Sequence, residues 1–462
     1  MTRQTTIYHR KPILRIGAVV VASLLALLWF AQPQANAVNN DAGLSKLEQF
    51  GKAVFHDEAL SVNNNMSCAT CHAISAGGTA ASDLSNRTLG LHPGSKFESY
   101  NQPPSETNTF AFRNIQTNAY SVYSPPLHRE LARDGSVMLV GGNFWDGRAL
   151  GFITGRPAQE QAMVPPLGTL EGELPAAACV VKALVDHPPT RQPAARYQDL
   201  FGQRIDTIQW PESIDDDCKN TNAIIDMPTA KDQIAVQRAY SNVAYALWAY
   251  QRSSEVIPFS SKFDASLEGR AVLSASENRG LKLFEGKAKC ASCHVATASP
   301  GQNKPLFTDF TYDNIGIPRN PANPVYTFTM INPEGRSWVD EGLGAVLRHD
   351  DTLREQASAN IGKFKVPTLR NVDRRPDPDF VRAYMHNGYF RTLEQVVDFY
   401  NTRDVKPRCS NRFTDVDTAE REGCWPEPEI ANNINTGELG DLGLNAQESS
   451  DLVAFLKTLS DA

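Results

Sequence analysis

Apolar residues recur at helical spacing in four places, which form two similar pairs. Each pair opens with a capping box, Ser45-Lys-Leu-Glu48 in the first half of the chain and Ser274-Ala-Ser-Glu277 in the second, followed by apolar residues on one helical face. Each pair closes with an amphipathic stretch, around 236–251 and around 446–459. We therefore predict a mainly α-helical protein in which one helical unit occurs twice.

Irregular segments rich in small and polar residues separate these helices, at 73–143, 172–230 and 401–440. Loops of this length inside a compact domain usually line sites or partner surfaces. Between 253 and 266, Pro and Ser interrupt the helical pattern. We therefore expect two domains in tandem, 38–260 and 261–462, with long irregular loops.

The first 37 residues have the pattern of an export signal. A basic start that includes Arg3 and Arg15 precedes an apolar run from Ile16 to Ala31, and Ala35-Asn36-Ala37 then matches the small-x-small pattern of signal peptidase sites. The run is shorter than the roughly 20 residues that span a bilayer, which favours cleavage after Ala37 over an uncleaved anchor. We expect a mature protein in the periplasm, without a membrane span after cleavage.

Composition and charge argue against one class of partner. The 462 residues are 41% hydrophobic and 21% charged, which is typical of globular proteins. The formal net charge is −7, and no long run of Lys or Arg follows the N-terminal segment. Nucleic acid is therefore not an expected partner.

Two copies of the motif CxxCH indicate covalently bound haem. They are Cys68-Ala-Thr-Cys71-His72 and Cys290-Ala-Ser-Cys293-His294. In c-type cytochromes the two thiols form thioethers with the haem, and the adjacent His is the proximal iron ligand. A zinc ribbon requires CxxC pairs about 15–20 residues apart, and a thioredoxin-type motif requires neither the His nor a second copy. We predict two haems c, with His72 and His294 as proximal ligands, in two cytochrome c-like domains.

The other four cysteines are expected to form disulfides in an oxidising compartment. Proximity along the chain pairs Cys179 with Cys218 and Cys409 with Cys424. Free buried thiols are the alternative.

Three further regions resemble those of one enzyme family. They are Phe144-Trp-Asp-Gly-Arg-Ala149, the stretch from Gln161-Ala-Met-Val-Pro165 to Glu171, and the run from Phe364-Lys-Val-Pro-Thr-Leu-Arg-Asn371 through Tyr384-Met-His-Asn-Gly388 to Thr392-Leu-Glu-Gln-Val-Val-Asp-Phe-Tyr400. With the two CxxCH motifs, they resemble the bacterial di-haem cytochrome c peroxidase family, which includes the MauG-type enzymes. The resemblance covers most of residues 44–460, except the loops.

The resemblance implies that the N-terminal haem reacts with hydrogen peroxide and that the C-terminal haem stores or relays electrons. It assigns charge transfer between the haems to Trp145, and an indole is among the side chains most easily oxidised. A core or interface tryptophan with a satisfied N–H is the alternative interpretation of Trp145.

The resemblance also implies a distal acid, Glu171, a distal amide, Gln161, and a pocket-wall proline, Pro165. Peroxide cleavage needs a group that takes a proton from the bound oxygen and returns it to the leaving oxygen, and a carboxylate in a dry pocket can do both. By its sequence context alone, Glu171 looks like a solvated loop acid, and Glu173 is its rival.

The sixth ligand of the second haem decides between two types of chemistry. Tyr400 stands where family members that accept electrons from cytochrome c have Met, and where MauG-type enzymes have Tyr. Because Tyr400 shares a helical face with Leu393 and Val396, a core aromatic is the alternative, and Met385 is the runner-up ligand. An anionic oxygen ligand stabilises ferric and higher iron, so Tyr400 favours oxidation of a difficult substrate.

Two further metal contacts follow from the resemblance. His92 is a candidate for a removable ligand of the first haem, although a plain loop histidine is the stronger interpretation. Asn114, with the backbone carbonyls of Val381 and Ala383, matches a Ca²⁺ site between the domains, since oxygen ligands suit this cation. A simple turn residue is the alternative for Asn114.

Three functions are compatible with these features. The first is peroxide reduction with electrons from a small periplasmic donor, a cytochrome c or cupredoxin; the second is peroxide-driven oxidation of a Trp or Tyr in a partner protein. The third, a non-catalytic di-haem electron carrier, is disfavoured by Glu171 and Gln161. Tyr400 favours the second function, and the family as a whole favours the first. The surface Trp that passes charge to the partner in MauG is Ala288 here, so protein oxidation would need another exit or another partner.

Overall fold

The computed structural model describes residues 43–81, 111–132, 135–186, 193–298, 302–329 and 332–462. The predicted export signal and His92 lie outside these residues, so both stay predictions. Across the described ranges, no helix is both long enough and apolar enough to cross a membrane.

Helices dominate the described residues, and the strands are few and short. The α-helices are α1 (Lys46–Phe55), α2 (Cys68–Cys71), α3 (Pro157–Ala162), α4 (Ala177–Asp186), α5 (Pro193–Phe201), α6 (Ile214–Asp217), α7 (Ala230–Gln251), α8 (Lys262–Leu267), α9 (Ala275–Glu285), α10 (Leu343–Leu347), α11 (Leu393–Thr402), α12 (Val416–Glu422) and α13 (Ala446–Lys457). Two antiparallel pairs join β1 (His128–Leu131) to β2 (Val137–Val140), and β3 (Tyr312–Asp313) to β4 (Phe364–Lys365). The prediction of a mainly helical fold is confirmed.

The two predicted capping boxes start α1 and α9. The Ser45 hydroxyl accepts from the Glu48 N–H, and the Glu48 carboxylate accepts from the Ser45 N–H. Ser274 and Glu277 make the same reciprocal pair. Each box satisfies two amide donors near the start of its helix, so these helix starts follow from local sequence.

The helix crossings in the two halves are equivalent. α1 packs across α7, and α9 packs across α13, each at a glycine. A Cβ atom at Gly51 would overlap the carbonyl of Ala246, and one at Gly280 would overlap the carbonyl of Asp451. Only glycine allows the backbones to approach so closely. The shared crossing supports the predicted duplication of one helical unit.

Each half has its own hydrophobic core. The buried residues of one core come from the stretch Leu44 to Ile257, together with Leu306. Those of the other core come from the stretch Phe263 to Leu459. Both belong to one compact unit, Ala37–Ala462. The predicted domain boundary after residue 260 stays a prediction.

Both predicted disulfides are present. The bridge Cys179–Cys218 joins α4 to the end of α6, and Cys409–Cys424 closes the segment that contains α12. The alternative of four free buried thiols at these positions is therefore wrong.

Candidate haem sites

The first CxxCH motif lies on α2 and ends in His72, whose ring is held by a hydrogen bond at Nδ1. Nδ1 of His72 lies 2.8 Å from the carbonyl oxygen of Gly78. Burial lowers the pKa of His72, although the hydrogen bond to Gly78 opposes this effect. A neutral imidazole that donates from Nδ1 keeps Nε2 unprotonated and available to a metal. This geometry suits the proximal ligand expected from the motif.

The second motif repeats this arrangement on a short 3₁₀ turn, Cys290–Ser292. Nδ1 of His294 lies 2.9 Å from the carbonyl oxygen of Phe307. Burial lowers the pKa of His294 to about 4, against the opposing effect of hydrogen bonds to backbone carbonyls. This imidazole is therefore neutral at physiological pH, as an iron ligand must be.

The four thiols of the two motifs form no disulfide. Burial raises the pKa of Cys68, Cys71 and Cys290 to about 12, and it raises the pKa of Cys293 as well. Neutral thiols of this kind are poor metal ligands and poor nucleophiles. The four unbridged thiols are therefore available for haem attachment.

A cavity beside the second motif has the composition of a haem pocket. Cys290, Cys293 and His294 line one part of it, and apolar side chains such as Leu393 and Leu452 line another. Apolar walls with few polar groups are typical of cofactor sites. The haem-attachment residues therefore face a space that is suited to a flat apolar ring.

A buried arginine in the wall of this cavity is incompletely hydrogen-bonded. Arg382 donates from Nη1 to the carbonyl oxygen of Ala76, while its Nε has no hydrogen-bond partner. No carboxylate forms an ion pair with Arg382 in the described part of the chain. A buried guanidinium needs an anion, and a haem propionate would supply one. The residues of the second site therefore fit a haem, and sequence reasoning missed Arg382 because its contacts are far apart in the chain.

Both candidate sixth ligands line the same cavity as His294. Tyr400, on α11, is half-buried, and its hydroxyl makes no hydrogen bond to any described residue. Burial raises the pKa of Tyr400, and the neighbouring Cys290 and Cys293 add to the effect. Met385 reaches the cavity from a turn with a φ of 69°, a strained value for a residue with a side chain. The structure thus brings both residues to the site and leaves the choice between them open.

Trp145 belongs to the first half of the chain but lines the cavity of the second haem motif. Its indole N–H donates to the carbonyl oxygen of Asn114 at 2.8 Å, and its own carbonyl accepts from the N–H of Lys365 in β4. Thr79, next to the residue that fixes His72, lines the same cavity. Trp145 is therefore held by both halves of the protein.

A buried ionic network fixes the turn that carries Trp145. Arg113 contacts Asp146 at 2.6 Å and makes a two-pronged contact with Asp340 at 2.6 and 2.7 Å. Arg148 contacts the other side of Asp146 at 3.0 Å. Burial alone would raise the pKa of Asp146, but the two arginines hold it below its usual value. Sequence reasoning missed this network because Arg113 and Asp340 are 227 residues apart.

Glu171 lies close to the first haem motif. Its negative charge is one cause of the raised pKa of both Cys68 and Cys71. Burial raises the pKa of Glu171 itself, and Arg148 opposes this. The rival acid, Glu173, is not among the groups that act on the two thiols. Of the two acids, Glu171 therefore has the surroundings expected of a proton-transferring group.

Hydrogen bonds hold the chain between Gln161 and Glu171 in place. Gln161 is half-buried near the end of α3, and its side chain makes no hydrogen bond to any described residue. Two residues later, the carbonyl of Met163 accepts from the hydroxyl of Tyr240 on α7. Pro165 begins the next 3₁₀ turn, and its carbonyl accepts from the N–H of Gly172.

The predicted calcium ligands are partly brought together. Nδ2 of Asn114 donates to the carbonyl oxygens of Ala383 and Met385, at 2.9 and 3.1 Å. The backbone N–H of Asn114 also donates to the carbonyl of His386. Asn114 thus presents its amide nitrogen, and the amide would have to turn over to present an oxygen to a cation. The role of Val381 stays a prediction.

Comparison with known proteins identifies the family of the chain. The model of the di-haem cytochrome c peroxidase family matches residues 45–272. The methylamine utilization protein MauG of Paracoccus denitrificans is 31% identical over 417 residues, which make up 90% of this chain and 88% of that protein. Cytochrome c551 peroxidase of Nitrosomonas europaea is 24% identical over 83% of this chain and 81% of its own length.

The fold agrees with a solved structure as well. The diheme peroxidase BthA from Burkholderia thailandensis superposes with a TM-score of 0.62 at 28% identity, over 92% of this chain and 88% of that protein. Its Y463M variant gives a TM-score of 0.63. Sequence similarity along most of the chain, the shared fold and the two CxxCH motifs lead to one conclusion: the chain belongs to the di-haem cytochrome c peroxidase family.

Proposed function

We propose that the protein is a periplasmic peroxidase that reduces hydrogen peroxide at the N-terminal haem, with electrons relayed through the C-terminal haem. Each haem c, when bound, supplies a redox-active iron. The observation that carries the proposal is the position of Glu171, a half-buried acid with a raised pKa beside the first CxxCH motif. A non-catalytic electron carrier has no need of such an acid.

The residues of the two motifs would hold the haems. His72 and His294 each present Nε2 because Nδ1 is bonded to a backbone carbonyl. Arg382 would pair with a propionate of the second haem and, through its contact with Ala76, would tie that site to the loop of the first. The cysteines would fix each haem by thioethers.

Glu171 would move the protons that peroxide reduction needs. Reduction of hydrogen peroxide to water takes two electrons and two protons, and one proton must pass from the near oxygen to the leaving oxygen. A carboxyl group whose pKa is raised by burial can accept a proton and return it. Gln161 and Pro165 are proposed to shape the peroxide side of the same pocket.

Trp145 would carry charge between the two sites. Its N–H is fixed on Asn114, and its turn is fixed by the pairing of Asp146 with Arg113. A rigid indole keeps a constant distance to both partners, which steady electron transfer requires. The electron donor is proposed to be a small periplasmic protein, a cytochrome c or a cupredoxin.

A second candidate function is peroxide-driven oxidation of a Trp or Tyr in a partner protein. It is favoured by Tyr400, which lines the cavity of the second haem and whose hydroxyl is unbonded among the described residues. The similarity to MauG over 90% of the chain supports it too. Against it, Ala288 is 3% exposed, so the position that bears a surface Trp in MauG offers neither an aromatic ring nor access here.

Calcium between the two halves is proposed as a structural cofactor, held by Asn114 and the carbonyls of Val381 and Ala383. The closeness of Asn114 to Ala383 supports the proposal. Removal of calcium with a chelator should lower the unfolding temperature of the holoprotein, and added Ca²⁺ but not Mg²⁺ should restore it. An unfolding temperature that does not respond to the chelator would contradict the proposal.

The test of the main proposal is the stoichiometry of peroxide consumption. The holoprotein is mixed with peroxide and a pre-reduced cytochrome c or cupredoxin, and both are followed by absorbance. Oxidation of two donor molecules per peroxide supports the peroxidase. Rapid reaction with peroxide that oxidises no donor, but does cross-link or hydroxylate a partner protein, supports the second candidate. No reaction with peroxide in any redox state overturns both.

A further inference from the structure

Three arginines surround one phenylalanine on the side of the C-terminal half that holds the second disulfide. The Cζ atoms of Arg319, Arg336 and Arg412 lie 5.9, 4.9 and 5.4 Å from the centre of the Phe413 ring. The ring itself packs edge-on against Tyr326 at 5.3 Å. We call this group the arginine cluster. It concentrates positive charge in a chain whose net charge is −7.

Arg319 is the buried member of the arginine cluster. It is 6% exposed, its Nε has no partner, and no hydrogen bond or ion pair holds its guanidinium within the described residues. Its backbone cannot easily move, because the side chain of Asn387 donates to the carbonyl of Pro318, and the side chain of Asn320 donates back to the carbonyl of Asn387. A buried, unpaired charge is costly, and native proteins rarely retain one without a counter-ion.

Glu429, a buried acid beside Tyr326, does not fill that role. One carboxylate oxygen of Glu429 accepts from the Tyr326 hydroxyl at 2.7 Å and from the Asp340 N–H at 3.3 Å. The other oxygen lies 3.9 Å from Nε2 of His386. Glu429 makes no ion pair with Arg319, so the positive charge of Arg319 is left for another group.

The other two arginines are exposed and held next to each other. Nη2 of Arg412 donates to the carbonyl oxygen of Arg336 at 3.2 Å. Neither guanidinium forms an ion pair with an acid in the ranges that the structure describes. Contact with an aromatic ring contributes about 0.5–1 kcal/mol at exposed sites, and it supplies no negative charge to balance the three cations. A bound anion would supply that charge.

We propose that the arginine cluster is a binding site for an oxyanion, a carboxylate, phosphate or sulfate group. Guanidinium groups bind such anions through paired N–H donors, and Arg319 is positioned as the buried anchor while Arg336 and Arg412 approach from solvent. The anion is either a free ion or an acidic side chain of a docking protein. The site is separate from the haem cavity, because none of the three arginines lines that cavity. It does not depend on the proposed peroxidase function.

Calorimetry on the holoprotein tests the site directly. Inorganic phosphate, sulfate and citrate are titrated at constant ionic strength in chloride, and saturable binding of at least one of them is expected. Arg336→Gln and Arg412→Gln, both at exposed positions that should not affect folding, should each weaken binding at least tenfold. Arg204→Gln, which removes an exposed arginine paired with Asp206, is the matched control and should leave binding unchanged. Absence of saturable binding, or binding that both cluster variants retain, would overturn the proposal.

An oligoglutamate peptide distinguishes the two sources of the anion. Competition between the peptide and phosphate, with tighter binding of the peptide, indicates a docking protein with an acidic surface. Binding of phosphate or sulfate without competition by the peptide indicates a free ion. Arg319→Gln adds a second check, because a folded Arg319→Gln protein should lose binding, and visible haem spectra report whether it has folded.

Discussion

The indole N–H of Trp145 donates to the carbonyl oxygen of Asn114 at 2.8 Å, and the side chain of Asn114 in turn donates to the carbonyls of Ala383 and Met385. The tryptophan proposed as the relay is thus linked through one asparagine to the turn that carries a candidate ligand of the second haem. Movement in that turn would be transmitted to the indole.

Replacement of this indole tests the relay. Trp145→Phe should keep both haems attached but slow the oxidation of the C-terminal haem after peroxide is added, because a phenyl ring is much harder to oxidise. Rapid-mixing absorbance measures that rate. Trp248→Phe is the control, since Trp248 lies on α7, stacked on Tyr245 and away from the cavity. Equal rates in Trp145→Phe and the wild type would remove Trp145 from the pathway.

Glu171→Gln should lower peroxide turnover by about 10²–10⁴-fold, the usual contribution of a general acid–base group. Glu173→Gln is the matched control and should stay within a few-fold of the wild type. Haem content is measured by absorbance in both variants, so that loss of cofactor is not mistaken for loss of catalysis. A weak effect of Glu171→Gln together with a strong effect of Glu173→Gln would exchange the roles of the two acids.

The pH dependence of turnover follows from the same carboxyl group. Because burial raises the pKa of Glu171, against the opposing effect of Arg148, its proton-accepting form is lost at a higher pH than for an ordinary Glu. Turnover should therefore fall as the pH drops through this raised value, and Glu171→Gln should lack that decline. A decline that persists in the variant belongs to another group.

Spectra of two variants identify the sixth ligand of the second haem. If Tyr400 is the ligand, Tyr400→Phe should change the spectrum of the C-terminal haem, and Met385→Leu should leave it unchanged. Tyr400→Met should raise the reduction potential of that haem, because a thioether stabilises ferrous iron. The opposite pattern of spectra would assign the ligand to Met385 and weaken the MauG-like alternative.

A buried ion pair in the C-terminal half should govern acid stability. Arg370 and Asp264 are both fully buried and share two hydrogen bonds, at 2.9 and 3.0 Å. Burial alone would raise the pKa of Asp264, but Arg370 holds it below the usual value. Its contribution to stability is therefore present above the ordinary pKa of Asp and is lost as the pH falls through the lowered value.

Asp264→Asn should lower the free energy of unfolding at pH 7 by about 3–5 kcal/mol, because it leaves Arg370 buried beside a neutral group. Urea unfolding, followed by circular dichroism, measures this change. Asp206→Asn, at an exposed pair with Arg204, should have no measurable effect. Identical unfolding curves for Asp264→Asn and the wild type would show that the pair does not stabilise the fold.

The sequence predicted those features that arise from neighbouring residues. The capping boxes depend on residues three positions apart. Each disulfide pairs a cysteine with the next one along the chain outside the CxxCH motifs, 39 and 15 residues away, and all four features appear in the structure as predicted. The helix crossings at Gly51 and Gly280 were not predicted, because the need for glycine arises from backbone contact between helices that are distant in the chain.

The features that the sequence did not predict depend on residues far apart in the chain. Arg382 reaches Ala76, and Arg113 reaches Asp340, across 306 and 227 residues. No local pattern specifies such pairs, because burial and charge compensation become visible only when the chain is folded. Tyr400 and Met385 show a different limit. Both line the same cavity, so the sequence does not tell which of them ligates the iron.

The bridge between Cys409 and Cys424 connects the maturation of the protein to its anion chemistry. Arg412 and Phe413 lie within the bridged segment, whereas Arg319 and Arg336 come from another part of the chain. Before the bridge forms, the segment that carries Arg412 lacks this covalent constraint, so newly made chains without the bridge should bind oxyanions poorly. Mild reduction of the purified protein should reproduce this immature state: phosphate affinity should fall while both haems stay attached, since thioethers resist thiol reagents.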